Sequence, residues 1–512
     1  MRPIRLVSAF VTVGAWTMAS RIMGFVRDIL IAAFLGAGPA AEAFLIAFSL
    51  PNMFRRFFAE GAFNMAFVPM FSRKLEAGDA PETFAREAFS GLASILIVFT
   101  AIALLAMPWL VLAMASGFAG DERFDMAVFY GRIAFPYILF ISLAALLSGV
   151  LNATGRFVAA AAAPVLLNVA FVIAMVVADR AGWPVGDALA WTVPVAGVAQ
   201  LALLLWAAKR AGFTMQLSRP RLTPDLKRLA VIAAPAALAG GVVQVNLLVG
   251  RQVASFFDGA IAWLSYADRL YQLPLGVVGI AIGVVLLPDL SRRLQAGDTD
   301  GGRHAFSRAA EISLALTVPA AVALAVIPGP LVSVLFQRGA FSPEDAAATA
   351  LAVAVYGLGL PAFVLQKVLQ PLYFAREDTK TPFYFALVAL VVNAVVAIGL
   401  APIIGYIAAA IGTTVAGWAM ALLLWRGSRG MGDAASFDAR FVTRIWRILA
   451  ASGAMGALLW VAARIGAEAF LDGGVRYFAL AALVLLGLGG YFGIGRALGA
   501  FTIADFRQAL RR

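Results

Sequence analysis

The sequence predicts an all-α polytopic membrane protein, with 14 transmembrane helices arranged as two pseudo-symmetric six-helix bundles plus two C-terminal helices. Three observations predict it. Of 512 residues 62% are apolar and 13% charged, with a mean hydropathy of +0.90. Soluble proteins average about 45–50% apolar and about 25% charged, so this chain has too little polar surface to solvate a globule of its size. The apolar residues fall in fourteen runs, most of them long enough to cross a hydrocarbon core of about 30 Å at about 1.5 Å per helical residue. A polar motif recurs at a fixed distance, the mark of a duplicated bundle.

In chain order the runs cover residues 6–36, 41–71, 88–116, 124–151, 157–178, 184–208, 226–256, 261–290, 305–327, 346–374, 382–400, 404–425, 442–465 and 475–498. Arg2 and Arg5 before the first run mimic a secretory signal. The run continues through Arg21 without a small-residue cleavage site, which predicts a retained first helix. Pro51, Pro136, Pro235, Pro274 and Pro361 lie inside runs and predict kinks, which neighbouring helices can satisfy within a membrane.

The formal charge of +12 comes from 40 Lys and Arg against 28 Asp and Glu. With a cytoplasmic N-terminus, 27 basic residues fall in inside segments and five outside, namely Arg123, Arg180, Arg338, Arg464 and Arg476. That bias predicts both termini in the cytoplasm of a bacterial inner membrane. The charge is therefore topological: it is spread over eight segments without interleaved stacking aromatics, so no nucleic acid partner is expected. With no Cys and only His304, thiolate chemistry, disulfides and multi-histidine metal sites are excluded, and neither cofactor nor metal is expected. The loop from Arg376 to Pro382 lacks a glycine-rich phosphate cradle and reads as a charge-paired, helix-capping connection.

The repeat is carried by Ser72-Arg73-Lys74-Leu75-Glu76-Ala77-Gly78-Asp79, which recurs 219 residues later as Ser291-Arg292-Arg293-Leu294-Gln295-Ala296-Gly297-Asp298. Tyr130-Gly131 likewise matches Tyr356-Gly357, Pro136 matches Pro361 and Asn168 matches Asn393, at offsets of 225 or 226. A repeat of six helices keeps its orientation, so the halves should be related by an axis along the membrane normal. The expected division is 1–220, 221–430 and 431–512. Two bundles about such an axis are a transporter plan, with cargo bound near the midplane.

The charges inside the runs carry the functional argument. They are Arg21, Arg27, Arg55, Arg56, Arg132, Arg251, Arg269 and Lys367 against Asp28, Glu42, Glu60 and Asp268. Each base costs about 2.5–3.5 kcal/mol at a helix centre on insertion scales, so these side chains should face protein or water. Arg21 and Asp28 share a helix face, Arg56 and Glu60 form an i,i+4 pair, and Asp268 adjoins Arg269. Ion pairs that hold helices together account for single residues but not for the surplus. Even with Arg132, Arg251 and Lys367 snorkelling, the interior stays cationic and calls for an anionic cargo, phosphate above all, because the guanidinium fork binds two oxygens. The alternatives are an exporter of another lipid-linked glycan, which the same charge suits, or an exporter of cationic drugs, which needs the opposite sign. A polyprenyl-phosphate transferase needs clustered Asp or His near a membrane face, and the isolated pairs here supply none.

At these residues the chain resembles the MurJ (MviN-type) lipid II flippases, a branch of the multidrug/oligosaccharidyl-lipid/polysaccharide exporter superfamily. The resembling stretches are Ser20 to Asp28, Leu50-Pro51-Asn52 through Arg55-Arg56-Phe57-Phe58-Ala59-Glu60-Gly61-Ala62-Phe63, Tyr266 to Leu270, and Tyr373 to Pro382. The resemblance covers essentially the whole chain. It implies transfer of undecaprenyl-diphosphate-linked peptidoglycan precursor from the cytoplasmic to the periplasmic leaflet by alternating access. It further implies that Arg21, Arg27, Arg55 and Arg269 line a central cavity and bind the cargo. Asp28, Glu42, Asn52, Arg56, Glu60 and Asp268 are expected to support or gate them. The last two spans should form a groove for the lipid tail. Lipid II, membrane lipids and cell-wall synthases are the implied partners.

Overall fold

A computed structural model describes residues 6–55, 62–219, 221–470 and 473–501. Among these, the regular structure is helical throughout. In order the helices are α1 (Leu6–Leu35), α2 (Pro39–Arg55), α3 (Ala62–Ala77), α4 (Pro81–Leu105), α5 (Met107–Met114), α6 (Glu122–Ala134), α7 (Tyr137–Ala153), α8 (Phe157–Ala181) and α9 (Val185–Arg210). They continue with α10 (Pro224–Ser255), α11 (Ala260–Gln295), α12 (Thr299–Val326), α13 (Pro328–Phe336), α14 (Pro343–Phe374), α15 (Lys380–Ile404), α16 (Ile407–Ser428), α17 (Ala439–Ile465) and α18 (Arg476–Ala497).

Among the described residues each of the fourteen expected runs falls on helix, and ten spans are long and apolar enough to cross a membrane. The chain is a multi-pass membrane protein. The breaks have local causes. Pro108 opens α5 after α4 has ended at Ala106, and the turn at Phe135 and Pro136 divides α6 from α7, because a proline ring removes a donor and clashes one turn back. Gly405, at φ 71°, ends α15. Side chains start other helices: Asp121 accepts from the Arg123 N–H at α6, Thr223 from the Leu226 N–H at α10, and Asp438 from the Phe441 N–H at α17. Ser342 and Asp345 close a reciprocal capping box on α14.

By packing the chain divides into two compact units, Met1–Ala262 with Arg338–Phe341, and Trp263–Gln337 with Ser342–Arg512. Helix α10 belongs to the first, where it packs on α3, α4 and α5. Compactness and duplication are separate divisions, and the six-plus-six-plus-two scheme concerns the second. Phenylalanine supplies most of the largest buried side chains of the first unit, among many alanines and aliphatic residues. Phe44, Phe48 and Phe171 cluster between α2 and α8, while Phe67 stacks on Phe71 and Phe84 at 5.6 and 5.5 Å. Buried polar groups link helices within this unit: Tyr137 donates to Gln200, which donates to the Ala163 carbonyl. In the second unit Val364, Val368, Leu372, Met420 and Leu424 form the α14–α16 core. The Tyr491 hydroxyl donates to the Ala315 carbonyl at 2.6 Å and ties α18 to α12.

The pairs α8 with α9 and α7 with α9 in the first unit have counterparts in α15 with α16 and α14 with α16 in the second. Ala202-Leu203-Leu204-Leu205-Trp206, near the end of α9, is identical to Ala421-Leu422-Leu423-Leu424-Trp425 near the end of α16, again 219 residues apart. The same contacts between corresponding helices support a duplication.

Candidate functional site

The first unit brings two of the expected residues together. Arg27 and Asp28, both on α1, are 7% and 6% exposed. The Arg27 Nε and Nη2 donate to Asp28 Oδ1 at 2.9 and 2.7 Å, and Nη1 donates to Asn168 Oδ1 on α8 at 3.0 Å. The Asn168 amide in turn donates to the Ser20 carbonyl at 3.0 Å. Phe48 and Phe171 flank the guanidinium, their ring centres 5.9 and 5.5 Å from its carbon. Arg27 is thus held by charge, hydrogen bond and ring quadrupole where α1 meets α2 and α8.

Arg21 and Asp28 lie seven residues apart on one face of α1, and Asp28 also accepts from its chain neighbour Arg27. A helical wheel places Cα–Cβ directions, but an arginine stem is long enough to fold back along its own helix to the adjacent carboxylate. Arg21 itself is exposed. Arg55 is half-buried at the end of α2. Asn52, one turn earlier, donates to the Phe48 carbonyl at 2.8 Å. Arg56 and Glu60 lie outside the described residues.

Glu42 is 1% exposed at the start of α2 and accepts from Arg123 Nη1 and from the Ile261 N–H, both at 3.0 Å. Arg123 also reaches Asp121 at 2.6 Å and Asp258 at 3.0 Å, with its guanidinium 4.5 Å from the Phe118 ring centre. Sequence reasoning assigned Arg123 to an outside loop and missed this node, since no spacing along the chain links residues 42, 123 and 258. Glu42 is therefore committed to a cation outside the original set. Arg132 and Lys367 are exposed, as snorkelling side chains are.

At the far end of α1, the Ala340 N–H donates to the Ala33 carbonyl at 2.8 Å. A Cβ on Gly339 would lie 2.2 Å from the Ala33 oxygen, and one on Gly36 would lie 2.4 Å from the Ala340 oxygen. Both glycines have positive φ, so the close approach of the two backbones requires them.

In the second unit Arg269 is exposed on α11 and Asp268 is half-buried, accepting from the Gln272 amide one turn on. Glu311 on α12 is 5% exposed and bonded by Arg308, Arg440 and Arg444, and Arg308 Nη2 donates to both carboxylate oxygens of Asp438 at 2.7 Å. This network fastens α17 to α12. His304 lies 3.8 Å from Asp438 and is exposed.

Comparisons with known proteins show the family and the fold. Residues 31–482 match the family model described as lipid II flippase MurJ. A probable lipid II flippase MurJ of Rhizobium meliloti is 43% identical over 524 residues, covering 99% of this chain and 96% of that one. The lipid II flippase MurJ of Burkholderia cenocepacia is 37% identical over 442 residues, covering 84% and 85%. Among solved structures, an inward closed lipid II flippase MurJ superposes with a TM-score of 0.79 at 23% identity, over 98% of this chain and 100% of that one. An inward-facing MATE-family multidrug transporter superposes with a TM-score of 0.69 at 14% identity, over 83% and 98%. These structural likenesses establish the fold.

Proposed function

Because the chain belongs to the MurJ family of lipid II flippases, we propose that it moves undecaprenyl-diphosphate-linked peptidoglycan precursor from the cytoplasmic to the periplasmic leaflet of a bacterial inner membrane. The observation that carries this reading is a family match over residues 31–482 together with relatives aligned over nearly their full length. Both termini are cytoplasmic, and the six-plus-six-plus-two organisation of residues 1–220, 221–430 and 431–512 provides the moving halves. Lipid II is the cargo, and cell-wall synthases are the neighbours that consume it.

In this reading the diphosphate is bound by Arg21, Arg27, Arg55 and Arg269. Arg27 acts differently from the other three. Its fork is bonded to Asp28 and Asn168, so it holds α1 against α8 and meets the cargo by exchanging one oxyanion for another. Glu42 and its partner Arg123 set the start of α2, and Asn52 sets its last turns. The polyprenyl tail stays in lipid while the head group crosses by alternating access. An inside-negative potential favours outward movement of an anion by about 2.3 kcal/mol per charge per 100 mV, and it returns an emptied cationic site inward.

The test is depletion of the protein in living cells with measurement of lipid II at the outer leaflet, rescued by the native chain or by variants. Arg55→Ala and Arg269→Ala are expected to fold and fail to rescue. Rescue by both would end the diphosphate assignment without touching the family.

A further inference from the structure

Two clusters of basic and aromatic residues remain outside this mechanism, one in each unit. In the first, Arg210 ends α9 with its guanidinium carbon 4.2 Å from the ring centre of Trp206, and Arg156 Nη1 donates to the Arg210 carbonyl at 2.8 Å. In the second, Arg429 follows α16 with its guanidinium carbon 3.9 Å from the ring centre of Trp425, and Arg376 Nη2 donates to the Met431 carbonyl at 3.0 Å. Trp206 and Trp425, and Arg210 and Arg429, are 219 residues apart, the spacing of the sequence repeat, and Arg156 and Arg376 are 220 apart. The construction is similar twice: an arginine from the turn before one helix reaches the last carbonyl of the next helix in the first unit, and a carbonyl three residues past its end in the second, beside an i,i+4 tryptophan–arginine stack.

Part of this has a structural reason. Basic side chains satisfy the last carbonyls of a helix and oppose the negative end of its dipole. That does not use the charge up. A third basic residue stands at each helix end, Lys209 next to Arg210 and Arg426 next to Trp425. Among the described residues none of these six bases forms an ion pair with a carboxylate. Glu377 and Asp378 follow Arg376 directly in sequence, but among the described residues neither is ion-paired with it, and Asp378 accepts the Thr381 N–H at 2.9 Å. Arg376 is half-buried, and burial lowers its guanidinium pKa, the behaviour of a cation that has lost water and not gained an anion.

The apolar surroundings point to the source of the missing anion. Trp206 is 53% and Trp425 40% exposed. Each ends a stripe of exposed side chains on a single helix face. On α9 the stripe is Trp191, Val195, Val198 and Trp206, and on α16 it is Val415, Trp418, Leu422 and Trp425. A soluble phosphate would use only the guanidinium groups, whereas a lipid uses the stripe for its chains and the cations for its head. We propose that each unit carries a site for an anionic phospholipid, its phosphate held by Arg156, Lys209 and Arg210 beside Trp206 in the first unit and by Arg376, Arg426 and Arg429 beside Trp425 in the second.

The experiment is native mass spectrometry of the full chain in detergent, titrated in parallel with phosphatidylglycerol, phosphatidylcholine and inorganic phosphate. Two phosphatidylglycerol molecules are expected to stay bound in preference to phosphatidylcholine, and millimolar inorganic phosphate is expected not to displace them. Each base removed should lower retention about fivefold, so Arg156→Gln with Arg210→Gln should remove one bound lipid and Arg426→Gln with Arg429→Gln the other. Arg210→Gln and Arg429→Gln alone leave the two capping bonds intact and guard against loss by misfolding, as does an unchanged thermal midpoint. Equal retention of the two lipids, an unchanged lipid count in the fourfold variant, or displacement by inorganic phosphate would each overturn the proposal.

Discussion

Arg27 shows how one residue type serves two ends within a few turns of helix. Its fork neutralises Asp28, orients Asn168 and sits between two phenylalanine rings, so removing it strips a guanidinium from a buried carboxylate. Arg27→Ala is expected to cost about 3–5 kcal/mol, as breaking one side of a buried pair does. Arg27→Ala combined with Asp28→Ala should cost less than the sum of the two, read by thermal unfolding in detergent as a double-mutant cycle. Arg27→Lys keeps the charge but not the fork and should fall between native and alanine. The Asp121 carboxyl offers a pH test at the same scale. Burial raises its pKa, but the Arg123 guanidinium and N–H outweigh that and hold it below the ordinary carboxylate value. A depressed carboxylate contributes stability above its unfolded pKa of about 3.9 and loses it as pH falls through the lower folded value. The thermal midpoints of the native chain and Asp121→Asn should therefore differ by a constant amount above that range and converge below it.

Helices here begin and end where local chemistry dictates, and the consequences are testable one element at a time. The end of α1 is set against the Gly339 turn by a backbone approach that admits no side chain, 2.2 Å from a Gly339 Cβ to the Ala33 oxygen. Gly339→Ala adds about 1–2 kcal/mol of left-handed strain to that clash, and should lower thermal stability more than the same change at Gly329, whose surroundings are open. In the second unit, α18 is bonded to α12 through the Tyr491 hydroxyl. Tyr491→Phe leaves the Ala315 carbonyl without that donor at a cost of about 1–3 kcal/mol, while exposed Phe478→Ala on the same helix should be close to neutral in stability.

For the whole molecule, the charge pattern links architecture to energetics: a carrier whose cargo is anionic needs no nucleotide if the membrane potential drives it. Collapse of the potential in intact cells is expected to arrest lipid II appearance outside, and undiminished flipping at zero potential would remove that account. The sequence by itself determined the membrane class, the helical runs and the duplication, because hydropathy and motif spacing are properties of the chain read in order. Its count of intramembrane charges also pointed to α1 and α2. Only the tertiary structure decided that Asp28 is paired with Arg27, that Asn168 completes the node from 141 residues away, and that Arg123 engages Glu42. Which cation meets which acceptor depends on how each helix is rotated about its axis and which rotamer its long side chains adopt, and neither is written in the period of the apolar residues.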